Sequence, residues 1–169
     1  DSIVLLLKSR LTSEIEIVKN YGLLPPVTCY IGQINQVFMN ILINAVDALL
    51  NEAVHQNLAK SFNKEGEKSS TSKPRIEITT KVCSLDSDAR WVSINIADNG
   101  PGLSTKAQGQ IWESFSIAKR SEKETSLALS YRIVTAKHGG RFLMRSRSSE
   151  PGECQSSSGT EFEILLPLL

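Results

Sequence analysis

The sequence has little that would place it in a membrane, in an oxidising compartment or on a nucleic acid. No apolar run approaches the roughly 18 residues of a membrane-spanning helix, and no signal peptide opens the chain. Cys29, Cys83 and Cys154 are scattered and form no CxxC pair, so reduced cytosolic thiols are favoured over a disulfide framework or a zinc site. The formal net charge of +1 gives no general attraction to nucleic acid or to an anionic membrane. What remains is a cytoplasmic globular domain of 169 residues, long enough to bury a core.

The strongest pattern in the sequence is a predicted amphipathic helix over residues 33–50. Its apolar residues recur at steps of three and four, as a helix requires: Ile34, Val37, Phe38, Ile41, Leu42, Ala45, Val46 and Leu49. Gln36, Asn40, Asn44 and Asp47 follow the same spacing and therefore share a second face. Asn is a mediocre helix former, and this polar column is either a solvated face or part of a binding site. The helix alone leaves both interpretations open.

A second polar signal, the motif DNGPGL at 98–103, follows a predicted strand. Apolar residues alternate over 92–96, so Asp98 stands at the end of a half-buried strand. Gly100 and Gly102 flank a proline and let a ligand approach the backbone closely. Alone, such a motif is typical of an ordinary turn. Together with the Asn-rich helix, it predicts a binding site.

The two motifs resemble the N box and the G1 box of sensor histidine kinase ATP-binding domains, whose superfamily includes gyrase, Hsp90 and MutL. The N box is carried by NxxxNAxxA, from Asn40 to Ala48, and the G1 box by DNGPGL. Other motifs follow in the family's order: IWESF resembles the F box, LSYRIV with KHGG resembles the helix after the ATP lid, and GTEF resembles the closing strand. YGxLPxVxCY before the N box is similar to cyanobacterial and related kinases. The resemblance covers nearly the whole chain.

Patterns and resemblance together imply a two-layer α/β sandwich of the Bergerat type, with a mixed, mostly antiparallel sheet of about five strands covered on one face by about three helices. The resemblance implies a single domain over 1–169 and an upstream linker ending within 1–12. Residues 59–74, rich in Lys, Glu and Ser, are predicted to be a flexible loop. Residues 116–127 are expected to form the ATP lid. Strands are predicted over 14–19, 75–82, 91–97, 140–147 and 160–166, and helices over 31–58, within 104–116 and over 126–138.

The resemblance also implies an ATP site built from Asn40, Asn44, Asp47, Asp98, Gly100, Gly102 and Thr160. Asp98 is expected to accept a hydrogen bond from the adenine amine, and Thr160 to share the water network beside it. Asn44 is expected to bind Mg²⁺ through its amide oxygen, a ligand suited to a hard cation that keeps several waters. Asn40 is expected near the phosphates. Asp47 either touches the ribose, touches a bound water or faces solvent.

No catalytic residue is expected in this chain, because the phosphoacceptor histidine of the family lies on another domain. Gln36 stands where relatives often carry Glu or Gln; a Glu there could act as the general base of an ATPase, whereas a Gln cannot take a proton from water. Trp112 and Phe115 are predicted to anchor the lid from the core. His55 and His138 are interpreted as structural or surface residues.

One motif of the family is missing. Relatives carry a glycine-rich GxGxGL box after the F box, but this chain has no glycine between Gly109 and Gly139. Such glycines let backbone amides wrap a triphosphate, and Glu122 and Glu124 place negative charge where phosphate would sit. The F box is also altered, with Ser114 where proline is common. The sequence therefore predicts an intact adenine half and a weakened phosphate half.

Three functions remain open from sequence. The first is a kinase domain that holds Mg-ATP for transfer to a histidine on a dimerisation domain of the same protein, in a homodimer that signals to a response regulator. The second is a non-catalytic pseudokinase-like scaffold, favoured by the missing glycines. The third, an independent ATPase of the gyrase or Hsp90 type, is disfavoured by Gln36 and by the turn at Gly139 and Gly140.

Overall fold

The structure, a computed structural model, describes residues 2–7, 15–62, 73–86, 89–117, 125–148 and 158–168. The helices are α1 (Ser2–Leu7), α2 (Ile31–Phe62), α3 (Thr105–Ile117) and α4 (Ser126–Arg132), which runs on into a π-helical turn, Ile133–Lys137. The strands are β1 (Glu16–Tyr21), β2 (Arg75–Asp86), β3 (Ala89–Asp98), β4 (Arg141–Arg147) and β5 (Gly159–Pro167). None of the helices in these ranges is long and apolar enough to cross a bilayer.

Within the described ranges the five strands form one sheet in the order β1-β2-β3-β5-β4. β1 runs parallel to β2, and each of the other neighbouring pairs is antiparallel. The predicted mixed, mostly antiparallel sheet is therefore confirmed. The final strand lies between β3 and β4, which brings the start of β5 beside the end of β3.

The core lies between α2 and one face of the sheet. The apolar stripe of α2 is buried except for Phe38, which is partly buried, because steps of three and four keep these side chains on one side of the helix. The alternation of β5 turns Phe162 and Ile164 into the same core. On the opposite face of the sheet Arg145, itself exposed, pairs with Glu161 (3.3 Å) and Glu163 (3.7 Å). Helices thus cover one face of the sheet, as predicted.

Several boundaries differ from the sequence predictions. Helix α2 continues to Phe62, so the predicted loop over 59–74 cannot begin at residue 59; residues 63–72 lie outside the described ranges. The helical periodicity fades before the helix ends, since its last turns carry fewer apolar residues. The predicted lid, 116–127, overlaps α3 up to Ile117 and α4 from Ser126, and residues 118–124 lie outside the description.

The helix predicted over 126–138 is regular only to Arg132, after which the π-helical turn follows. A π turn widens the helix by one residue and is frequent near functional sites. Gly139 ends the helix with φ of +61°, the left-handed conformation that glycine adopts without steric cost. The predicted glycine cap thus stands where the sequence placed it.

Candidate functional site

Asp98, the last residue of β3, is held by two backbone amides. Its Oδ1 accepts hydrogen bonds from the Gly100 N–H (2.9 Å) and from the Thr160 N–H (3.3 Å). The second bond follows from the sheet order, because the pairing of Ala97 with Glu161 sets residue 160 beside residue 98. A carboxylate held in this way keeps one orientation.

The two glycines after Asp98 pass close to neighbouring elements. Gly102 has φ of +71°, and a Cβ atom added there would lie 1.8 Å from the carbonyl oxygen of Arg147, so no side chain fits. A Cβ at Gly100 would lie 3.5 Å from a Leu49 methyl group and 3.8 Å from the Ala48 Cβ. The turn after β3 therefore packs directly on the C-terminal half of α2.

The predicted polar column lies on α2, and its side chains have different surroundings. Asn44 Nδ2 donates to the backbone oxygen of Asn40 (2.8 Å), one turn earlier in the same helix. Asn40 Nδ2 reaches α4 instead, where it contacts Ser126 O (3.0 Å) and Ser130 Oγ (3.1 Å). Asp47 is exposed. Asn44 lies one turn before Ala48, which faces the turn after β3.

A hydroxyl pair beside Asp98 contains a residue that the sequence did not single out. Ser146 Oγ lies 2.8 Å from Thr160 Oγ1, and it accepts the Leu103 N–H (2.8 Å). The same hydroxyl donates to Gly159 O (3.1 Å). Ser146 therefore joins β4, β5 and the loop after β3. No motif marks it, and only the pairing of β4 with β5 could have revealed it.

Asp98 and Thr160 border a cleft of about 500 Å³, together with Ser146 and Gln108. Gln108 closes one side, since its Nε2 donates to Leu103 O (2.8 Å) and to Ser146 O (3.2 Å). Within the described part of the chain, the α2 residues 40, 44 and 47 do not line this cleft. The structure thus brings together Asp98 and Thr160, the two residues predicted at the adenine, while Asn40 and Asn44 lie on α2.

The aromatic residues predicted as core anchors pack as a chain. Phe115 is buried and stacks on Tyr131 (4.8 Å between ring centroids), and Trp112 meets it edge-on (5.2 Å). Trp112 itself is 39% exposed, so it anchors through one side only. The stack of Phe115 on Tyr131 fastens α3 to α4.

His138 is a structural residue, as predicted. Its Nε2 accepts the Tyr30 N–H (3.0 Å), so its Nδ1 must carry the proton that is donated to Ile133 O (2.8 Å). The ring therefore joins the residue before α2 to the π-helical turn. The side chain of His55 lies outside the described part of α2.

The residues present fit a hard cation of the Mg²⁺ type better than a softer metal. In the described ranges no cluster of three or more His, Cys, Asp or Glu side chains could hold a metal by itself. Asn44 commits its nitrogen to Asn40 O, which turns its Oδ1 the other way. A single amide oxygen suits Mg²⁺, which usually keeps several waters and takes further oxygens from phosphates.

Comparisons with known proteins define the class. The family profile of histidine kinase-, DNA gyrase B- and HSP90-like ATPases matches residues 30–169. The chain is 27% identical to sporulation kinase E of Bacillus subtilis over 145 residues, covering 86% of this chain and 15% of that protein. It is 26% identical to the sensory histidine kinase/phosphatase NtrB of Rhizobium meliloti, covering 99% of this chain and 39% of that protein. The chain thus spans well under half of these relatives.

Solved structures agree with the fold. The catalytic domain of the histidine kinase ThkA superposes with a TM-score of 0.63 at 18% identity, covering 98% of this chain and 89% of that one. The mycobacterial sensor histidine kinase MprB gives a TM-score of 0.57 at 21% identity, with 98% and 89% covered. The chain belongs to the histidine kinase-, DNA gyrase B- and HSP90-like ATPase family. It is a nucleotide-binding domain of that family, with the α/β fold of histidine kinase catalytic domains.

Proposed function

We propose that this domain binds Mg-ATP and presents it for phosphoryl transfer to a histidine on a separate dimerisation domain of the same protein. The whole protein would be a homodimeric two-component sensor kinase, acting in the cytoplasm and passing the phosphoryl group to a response regulator. Its relatives NtrB and sporulation kinase E are kinases by name. Positioning and charge neutralisation carry most of such a transfer.

The observation that carries this proposal is the way Asp98 is held. Two backbone N–H groups bind its Oδ1, so the carboxylate is oriented before any ligand arrives. A fixed acceptor at the end of a strand, bordering a cleft with Thr160, suits the exocyclic amine of adenine. Guanine carries a carbonyl oxygen at that ring position and would set two acceptors against each other.

Asn44 is the proposed Mg²⁺ ligand, with phosphate oxygens and waters completing the shell. Gly100 and Gly102 keep the turn after β3 free of side chains where it meets α2 and β4. Bound Mg²⁺ would neutralise charge on the transferred phosphoryl group. Asp47, exposed on α2, is proposed to touch the ribose or a bound water.

The phosphate grip is proposed to be weak. Thr125 Oγ1 accepts the Ala128 N–H (3.2 Å), so this amide at the start of α4 is already satisfied by the chain. Ser126 and Ala128, within the stretch 122–128 that aligns with the family's glycine box, lie in regular helix. These two features also favour the second candidate, a non-catalytic scaffold that keeps the adenine pocket without productive ATP.

The deciding experiment is a calorimetric titration with ATP, ADP and adenosine, with and without Mg²⁺, of the native domain and of Asp98→Asn. In the variant the oxygen must stay on the side of the two N–H groups, so an NH₂ group would face the adenine amine. We expect affinity for adenine compounds to fall by about 30- to 1,000-fold, the cost of roughly 2–4 kcal/mol for opposed donors.

Stability should fall by about 1 kcal/mol, because the variant keeps both backbone hydrogen bonds and gives up the charge that strengthens them. Glu113→Gln, the same chemical change at an exposed residue of α3, is the matched control and should bind like the native domain. A clear preference for ATP over ADP would favour the kinase. If adenosine binds as tightly as ADP and ATP, the scaffold is favoured. If the folded native protein binds none of the three compounds, both proposals are refuted.

A further inference from the structure

Asn40 is a physical connection between α2 and α4. Its Nδ2 lies 3.0 Å from Ser126 O and 3.1 Å from Ser130 Oγ, while the Ser130 hydroxyl donates to Ser126 O (2.8 Å). The three atoms form a closed triangle. Since the two acceptors are only 2.8 Å apart, whereas the hydrogens of an amide diverge by about 120°, one N–H is shared between them. Such three-centre bonds are common at helix ends.

This triangle decides which way the Asn40 amide points. A backbone carbonyl can only accept a hydrogen bond, so the nitrogen of Asn40 must face Ser126 and its Oδ1 must face away. Within the described ranges neither the second N–H nor the Oδ1 has a hydrogen-bond partner. Ser130 is fully buried, so it cannot itself touch a ligand.

We propose that Asn40 couples nucleotide binding to the docking of α4, with Ser130 as its positioning residue; this rests on the nucleotide site proposed above. A ligand can bind the second N–H or the Oδ1 of Asn40 without breaking the bond to α4. Ligand and docked α4 therefore reinforce each other, and the coupling acts equally in both directions. The side chain that faces the nucleotide also holds the helix that follows the lid.

The first test uses the full chain without nucleotide and reads amide hydrogen exchange in α4, Ser126–Arg132. Asn40→Asp keeps the size of the side chain but sets a carboxylate against Ser126 O, so α4 should exchange roughly 3- to 10-fold faster, as expected for one net hydrogen bond. Asn51→Asp is the matched control, because it makes the same chemical change at an exposed residue of α2 and should leave α4 unchanged. Unchanged exchange in Asn40→Asp would overturn the proposal.

The second test measures the affinity of Ser130→Ala for ADP. This variant loses one of the two acceptors of the Asn40 N–H, at a position that the ligand does not contact. We expect affinity to fall about 2- to 5-fold, with α4 exchanging faster by a similar factor. Native affinity in Ser130→Ala, alongside a loss in Asn40→Asp, would mean that Asn40 is only a ligand contact. If the native protein binds no nucleotide, the proposed function and the coupling both fail. The exchange comparison still decides whether Asn40 holds α4.

Discussion

Gly102 offers the sharpest test of how the loop after β3 is built. The residue combines φ of +71° with a hypothetical Cβ only 1.8 Å from the Arg147 carbonyl oxygen and 3.0 Å from the Ser148 nitrogen. Alanine in the left-handed region costs about 1–2 kcal/mol. The clash is with backbone at the end of β4, which must move with the loop, and a small-to-large change of this kind costs a further ~1–3 kcal/mol. Gly102→Ala should therefore lower the free energy of unfolding by about 2–5 kcal/mol.

Urea unfolding followed by circular dichroism measures this loss. Gly109→Ala is the matched control, because Gly109 lies inside α3 with open space around it. Alanine is the better helix former by about 0.8–1 kcal/mol, so the control should be more stable than the native protein. If Gly102→Ala were as stable as the native chain, the close approach of this loop to β4 would be refuted. Nucleotide affinity should also fall, since the loop carries the Leu103 N–H that binds Ser146.

Three further substitutions test the packing around the site. His138→Ala removes both bonds of the imidazole and leaves the Tyr30 N–H without its acceptor, so the free energy of unfolding should fall by about 1–3 kcal/mol in urea titrations; an unchanged midpoint would contradict the bridge between α2 and the π-helical turn. Phe115→Ala should cost about 3–5 kcal/mol, because a buried ring is lost, whereas Trp112→Ala, at a half-exposed position, should cost clearly less. Equal losses of stability in Phe115→Ala and Trp112→Ala would contradict this, because they would mean that the exposed Trp112 ring stabilises the fold as much as the buried Phe115 ring.

Much of the fold could be predicted from the sequence, because buried side chains recur at a regular spacing along helices and strands. Steps of three and four in α2 and alternation in the strands predicted these elements and the side of each that is buried. The family and the α/β class followed from motifs and are confirmed. The roles of the individual site residues, the weak phosphate grip and the cyanobacterial likeness stay predictions.

The neighbours of the site could not be read in the same way. In the sequence Thr160 is an ordinary strand residue. Because β5 lies between β3 and β4, the Thr160 N–H donates to Asp98 and its hydroxyl is hydrogen-bonded to Ser146. The spacing of Asn40 from the other polar residues of α2 predicts its face of the helix. Its hydrogen-bond partner Ser130, however, lies 90 residues later in the chain.

The sequence by itself determined which residues lie inside, which helices and strands form and in what order, and which motifs carry the site, since these depend on local spacing. Only the tertiary structure decided which element covers which face, how the turn after β3 meets α2, and which side of the Asn40 amide is open to a ligand. Hydrophobic periodicity specifies that a face is buried but not what buries it. The directional hydrogen bonds that orient Asp98 and Asn40 appear only once the strands and helices have found their neighbours.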